Sequence, residues 1–115
     1  MAITTKQQRQ RSFAGYVGSI GGVPVAPSNT VLPAITGTAQ VGQVLTSTTG
    51  TWTARPGATY ARQWKAAGVN IGGATGTTYT PVGGDVGKVI TVAVTATNNK
   101  GAASATSAAT TAVIA

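Results

Sequence analysis

The chain is 115 residues long and carries eight Lys plus Arg against one acidic side chain, for a formal net charge of +7, with no Cys and no His. That length holds one domain of roughly 100 residues plus an appendage, and the missing residues exclude an imidazole base, a thiolate nucleophile, a disulfide and a zinc site of the usual ligand set. With Asp85 as the only carboxylate side chain, neither a two-carboxylate glycosidase nor an aspartic dyad can be assembled within one chain and a calcium cage lacks ligand charge, so the expectation is a non-enzyme without catalytic residues, cofactor or metal.

Residues 1–30 read as an extended arm. It opens with cations at Lys6, Arg9 and Arg11, continues through Phe13, Tyr16, Val17 and Ile20, and closes on the Gly/Pro-rich run that ends Val23-Pro24-Val25-Ala26-Pro27-Ser28. Glycine favours the unfolded chain and proline interrupts regular pairing, so neither a helix nor a sheet strand is expected. A secretory signal is imitated and not matched: Gly15, Gly18, Ser19, Gly21, Gly22 and Pro24 interrupt the apolar stretch, whereas a signal core is a continuous run of about 7 to 15 apolar residues. No run approaches the roughly 20 apolar residues of a membrane span, and no membrane insertion is expected. Ordering such a segment costs on the order of 1 to 2 kcal/mol per residue in backbone entropy. The expectation is therefore that the domain or a neighbouring subunit holds it, with these seven side chains as the partner-binding set. The competing reading is a solvated, dispensable tail.

Residues 31–115 read as all β. Val31 to Ile35 is a short strand interrupted by Pro33, hence an edge. Val44 to Ser47 follows, and Gly50 marks the turn before Trp52. From Thr59 to Lys65 the pattern alternates, with Tyr60, Arg62 and Trp64 on one face and Ala61, Gln63 and Lys65 on the other. A short hairpin strand is expected over 68–72 and another strand over 77–80. Lys88 to Asn98 is the strongest, with Ile90, Val92, Val94 and Ala96 inward; Asn98-Asn99-Lys100-Gly101 is a hairpin loop with Gly101 at positive φ, and Ala102 to Ile114 returns as the last strand. About seven short strands with turn signals every 8 to 12 residues point to a β-sandwich. Its expected core is Trp52, Tyr60, Trp64, Tyr79, Ile90, Val92 and Val94.

The remaining polar groups divide by context. Asp85, in a turn before a strand, is expected to accept local backbone N–H bonds, with Tyr79 as a core or corner tyrosine. Arg55, Arg62, Lys65, Lys88 and Lys100 with Trp52 and Tyr60 compose the ingredients of a single-stranded nucleic-acid platform. These cations are scattered over separate strands and loops, and both aromatics are expected in the core, so no nucleic-acid partner is expected.

The string Pro33-Ala34-Ile35-Thr36-Gly37, Val41-Gly42-Gln43-Val44-Leu45, Gly50-Thr51-Trp52, Tyr60 with Gln63-Trp64-Lys65, Gly68 with Ile71, Ala74-Thr75-Gly76, Thr78-Tyr79-Thr80, Asp85-Val86-Gly87-Lys88, Val92 to Thr97, and Asn98 followed by Gly101 resembles the Ig-like repeat domains of bacterial surface proteins and tailed-phage virion proteins. The resemblance spans residues 33 to 114 and implies an Ig-like β-sandwich without an activity of its own. It also implies a structural role in a virion, most concretely a capsid (head) decoration protein, present in multiple copies, whose arm lies on the major capsid protein or other virion subunits. The alternatives it leaves open are a bacterial surface or adhesive domain binding host-surface glycans or proteins, and a phage tail or fibre accessory domain. The chain departs from the pattern in holding a single copy and in the arm outside it.

Overall fold

A computed structural model describes residues 23–115. The seven arm side chains singled out above, Lys6, Arg9, Arg11, Phe13, Tyr16, Val17 and Ile20, lie outside the described residues. The rest is all β: β1 (Val25–Val31), β2 (Ile35–Thr36), β3 (Leu45–Ser47), β4 (Thr51–Arg55), β5 (Thr59–Ala66), β6 (Val69–Asn70), β7 (Thr78–Tyr79), β8 (Ile90–Asn98) and β9 (Gly101–Thr106), with one 3-10 turn at Gly83–Asp85.

The strands form three antiparallel groups: a four-stranded sheet in the order β9-β8-β5-β6, a three-stranded sheet in the order β2-β3-β7, and a ribbon of β1 and β4. The four-stranded sheet is built on the longest pairing, in which Thr59 to Ala66 of β5 run against Thr97 to Ile90 of β8 without a slip. Because side chains alternate along a strand, this register puts Tyr60, Arg62, Trp64 and Ala66 on the same face as Ala96, Val94, Val92 and Ile90. That face is the inner one: Trp64, Ile90, Val92, Val94 and Ala96 are all fully buried.

Two different layers cover it. Leu45 of β3 is fully buried in one cluster with Trp64, Ile90, Val92, Val113, Ala39 and Ala66, and Tyr79 of β7 packs against them. Trp64 is the centre of this half, as its place among the apolar positions predicts. Its ring lies 5.8 Å from that of Tyr79, and its indole N–H donates to the Gly76 carbonyl at 2.8 Å, so the polar edge of the largest core side chain is satisfied. Val94, Ala96 and Ala105 are buried outside that cluster, at the end of the sheet against which the ribbon lies.

The ribbon corrects the sequence reading twice. Val25 to Thr30, placed by glycine and proline in an arm, and Val31, placed at the head of a strand running to Ile35, form one strand whose partners on β4 run from Val25↔Arg55 to Val31↔Thr51; residues 32–34 belong to no strand, and the paired structure begins before residue 31. The ladder tolerates Pro27 because it is irregular, shifting register between Val25 and Ser28 and again between Asn29 and Val31, and a shifted ladder has positions where no N–H is required. Thr51–Arg55, read only as the sequel of a turn, is the second strand, with half-buried Trp52 and Ala54 alternating with exposed threonines. Gly50 makes their junction possible. At φ +75° its Cα lies so close to the Val31 carbonyl that a Cβ would stand 2.2 Å from that oxygen, a conformation and an approach open to glycine alone.

The last expected strand is also shorter than its sequence suggested. After Thr106 the pairing against β8 is shared between backbone and hydroxyls: the Ser107 N–H donates to the Val92 carbonyl at 2.9 Å while its Oγ accepts the Val92 N–H at 3.1 Å, and the Thr110 N–H donates to the Ile90 carbonyl while its Oγ1 accepts the Ile90 N–H, each at 3.0 Å. The chain then crosses over, with Val113 bridging Val86 and Ile114 bridging Gln40, both in parallel. β8 and its neighbours therefore have two distinct ends about 30 Å apart, nine residues at roughly 3.3 Å each. The described chain starts beside Asn98 at one end and finishes beside Ile90 at the other.

Candidate functional site

The end at which Val23 leads into β1, the N-terminal pole, is assembled from three separate pieces of chain by one side chain. Asn98 closes the β8–β9 hairpin, whose register pairs it with Gly101, and Gly101 takes the positive φ of +146° expected of it. From there the Asn98 amide donates to the Val25 carbonyl at 2.8 Å and to the Pro56 carbonyl at 3.0 Å, while its Oδ1 accepts the Lys100 N–H at 2.9 Å. The start of β1, the β4–β5 turn and the β8–β9 turn are thereby held as one surface.

On that surface lies an open depression of about 390 Å³ lined by Val25, Trp52, Thr53, Ala54 and Arg55. Trp52 is half-buried, its indole N–H donating to the Thr49 carbonyl at 2.7 Å. Tyr60, 43% exposed, lies with its ring 6.3 Å from that of Trp52 at 51°. These two aromatics depart from the expected core. They stand on the inner faces of β4 and β5, but at the pole where β1 and β4 form only a two-stranded ribbon over the sheet, which leaves part of each ring uncovered. The other five expected core residues hold that role: Trp64, Ile90, Val92 and Val94 are fully buried, and Tyr79 is packed on the core cluster.

The cations separate by position. Arg55 and Lys100 are exposed at the N-terminal pole. Arg62 lies midway along β5, opposite Val94, and its guanidinium turns toward Ser47, 3.4 Å from the hydroxyl and 3.5 Å from the carbonyl. Lys65, opposite Thr91, and exposed Lys88 belong to the far, C-terminal pole. The set is split as the scatter along the chain implies, and no continuous basic stripe joins its described members.

Asp85 sits at the C-terminal pole, 6% exposed. Its carboxylate accepts the Tyr79 hydroxyl and the Val82 N–H at 3.0 Å, the local backbone bond that its place in a turn predicts. Burial first, then the hydrogen bond and the charge of Asp85, push the Tyr79 phenol from 10.0 up to about 12. The pair ties β7 to the 3-10 turn, and the one carboxylate side chain of the chain is thus occupied far from Arg55 and Lys100.

No family model, curated protein or solved structure matches this chain. Among the described residues, no group of three or more His, Cys, Asp or Glu side chains comes together to hold a metal ion, and no helix is long and apolar enough to cross a membrane.

Proposed function

We propose that the protein is a non-enzymatic structural component of a tailed-phage virion, a head decoration protein in which an Ig-like sandwich is carried on the capsid by the N-terminal segment. The phage assignment is supported by the resemblance of residues 33 to 114. The attachment is supported by one observation above the others: residues 25–31, which continue the N-terminal segment, are built into the fold as β1 at a pole opposite the end of the described chain. A domain so joined transmits a hold on its N-terminal segment directly into the sheet, and presents its far pole outward. The strand makes the joint stiff where a flexible linker would let the domain wander.

The test is co-sedimentation with capsids stripped of the protein, comparing the full chain with one lacking residues 1–22. The cut falls ahead of Val23 because removing β1 would unroof Val94 and Ala96 and confound binding with folding. Phe13, Tyr16, Val17 and Ile20 contribute about 1.5 to 3 kcal/mol each when buried against a neighbour, and tenfold in affinity corresponds to about 1.4 kcal/mol. Loss of attachment by well over tenfold, with the melting curve kept, is the expected result. A truncated protein that binds fully transfers the site to the sandwich, where an adhesive domain for glycans or proteins would carry it.

A further inference from the structure

We infer that the N-terminal pole is itself a docking surface, made for an acidic stretch of a protein partner: Arg55 and Lys100 take its carboxylates, beside the open depression lined by Val25, Trp52, Thr53, Ala54 and Arg55. The partner's identity as a virion subunit rests on the attachment reading given above; the chemistry of the surface does not.

Charge carries the argument. The chain has eight Lys plus Arg and one acidic side chain, and that carboxylate is buried at the other pole in the grip of Tyr79 and the Val82 N–H. No second carboxylate side chain exists within the chain to pair with Arg55 or Lys100. Yet the backbone at both positions is fixed, since Val25↔Arg55 is a ladder pair and the Lys100 N–H is held by Asn98. Two cations on a pre-formed frame beside an open hollow form a complementary surface for carboxylates, and a rigid frame reduces the ordering cost of binding. The frame is also the one from which the N-terminal segment departs, so an attachment made by that segment brings the same pole against the partner. Both contacts then share one encounter, and the second gains from effective concentration.

The favoured partner is protein, not single-stranded nucleic acid. Base stacking needs open ring faces along a cationic groove, whereas the Trp52 ring is half-buried and tilted at 51° to Tyr60, and Arg62, Lys65 and Lys88 lie elsewhere.

Two full-length variants that each remove two positive charges provide the test: Arg55→Gln with Lys100→Gln at the N-terminal pole, and Lys65→Gln with Lys88→Gln at the other. Against stripped capsids the first is expected to bind about three- to tenfold more weakly than the second, with a shallower salt dependence, because rim charges act on encounter and are screened by salt. Equal affinities of the two variants overturn the inference and leave the attachment reading standing. If the unmodified chain does not sediment with capsids, the attachment reading fails, and the surface is then judged on a second probe. In a full-length chain with Lys6, Arg9 and Arg11 replaced by Gln, a synthetic Glu-Glu-Phe-Glu-Glu peptide is titrated while the two indole N–H resonances are followed by NMR. The Trp52 signal is expected to move, the Trp64 signal to stay, and Arg55→Gln with Lys100→Gln to abolish the shift. An unmoved Trp52 signal, or a larger shift with a dodecathymidine oligonucleotide than with the peptide, overturns the assignment.

Discussion

Over Trp64 the four-stranded sheet is covered by β2, β3 and β7, with Leu45 fully buried and Tyr79 stacked beside the indole; over Val94 and Ala96 it is covered by β1 and β4, whose inward side chains are Pro27, Asn29, Trp52 and Ala54. The first half is held by interdigitated large side chains. The second is held by one half-buried ring among smaller side chains, an irregular ladder and the three hydrogen bonds of Asn98. The boundary between them falls at Arg62, whose guanidinium turns to Ser47 where a continuous core would have placed another apolar group. On the attachment proposed above, the difference separates stability from attachment along one sheet. The Trp64 half supplies the packing that keeps the domain folded, and the ribbon half supplies β1, the strand that follows directly on residues 1–22.

The largest expected effect is on the Trp64 half. Trp64→Ala removes a fully buried ring and orphans the Gly76 carbonyl, and should cost about 3 to 5 kcal/mol. Trp52→Ala removes a half-buried ring from the ribbon and should cost less than about 2 kcal/mol, in proportion to the smaller area lost from water. Urea unfolding of both variants measures the contrast, with the m-value checked for constancy. Equal losses would mean that the two halves form one core, and the comparison would fall.

A smaller effect is expected at the polar tie of the Trp64 half. Tyr79→Phe leaves the Asp85 carboxylate buried with only the Val82 N–H, at a cost of about 1.5 to 3 kcal/mol near neutral pH, the range for hydrogen bonds to charged groups. The pH dependence has a definite sign. The Tyr79 phenol rises from 10.0 unfolded to about 12 folded, so the native state keeps its proton where the unfolded chain has lost it. The associated stability is fully present below about pH 10 and is lost as pH rises toward and through 12. Unfolding midpoints taken from pH 8 to 12 should therefore fall more steeply for the parent than for Tyr79→Phe, and parallel curves would remove the phenol from the account.

The same division explains what could be read from the sequence. β5 and β8 were legible because eight or nine residues of strict alternation leave little choice of face, and Trp64, Ile90, Val92 and Val94 follow from it. Asp85 was legible because a carboxylate three residues beyond Val82 in a turn finds a local N–H. The ribbon was not read, for two reasons. Pro24 and Pro27 mask β1, whose pairing depends on a bulged ladder that no local pattern records. β4 does carry a signal, the alternation of Thr51, Trp52, Thr53 and Ala54, but five residues between Gly50 and Pro56 are too few to tell a strand from the sequel of a turn. The exposure of Trp52 and Tyr60 depends on that strand, since residues on an inner face are buried only as far as the layer above them reaches. The convergence of Arg55 and Lys100 on one pole lay beyond the sequence altogether, because Asn98 brings them together across more than forty residues of chain.

The smallest effect is the one that tests that junction directly. Asn98→Ala deletes the bonds to the Val25 and Pro56 carbonyls and the acceptor for the Lys100 N–H. All three partners lie at a solvent-facing pole, so water replaces most of what is lost, and the global cost should be only about 1 to 1.5 kcal/mol. The distribution of that cost is the informative quantity. If Asn98 clamps the ribbon to the sheet, the amides of β1 and β4 should exchange with solvent markedly faster, because local opening then needs less free energy than global unfolding. The amides of the β5–β8 ladder around Trp64 and Val92 should slow or quicken only with the global stability. The proposed attachment to the capsid should weaken as well, since an opened ribbon no longer holds Arg55 and Lys100 on one frame. Hydrogen exchange that quickens uniformly along the chain would show the clamp to be one more contact of a single cooperative core, and would return the N-terminal pole to the status of an ordinary end of the sandwich.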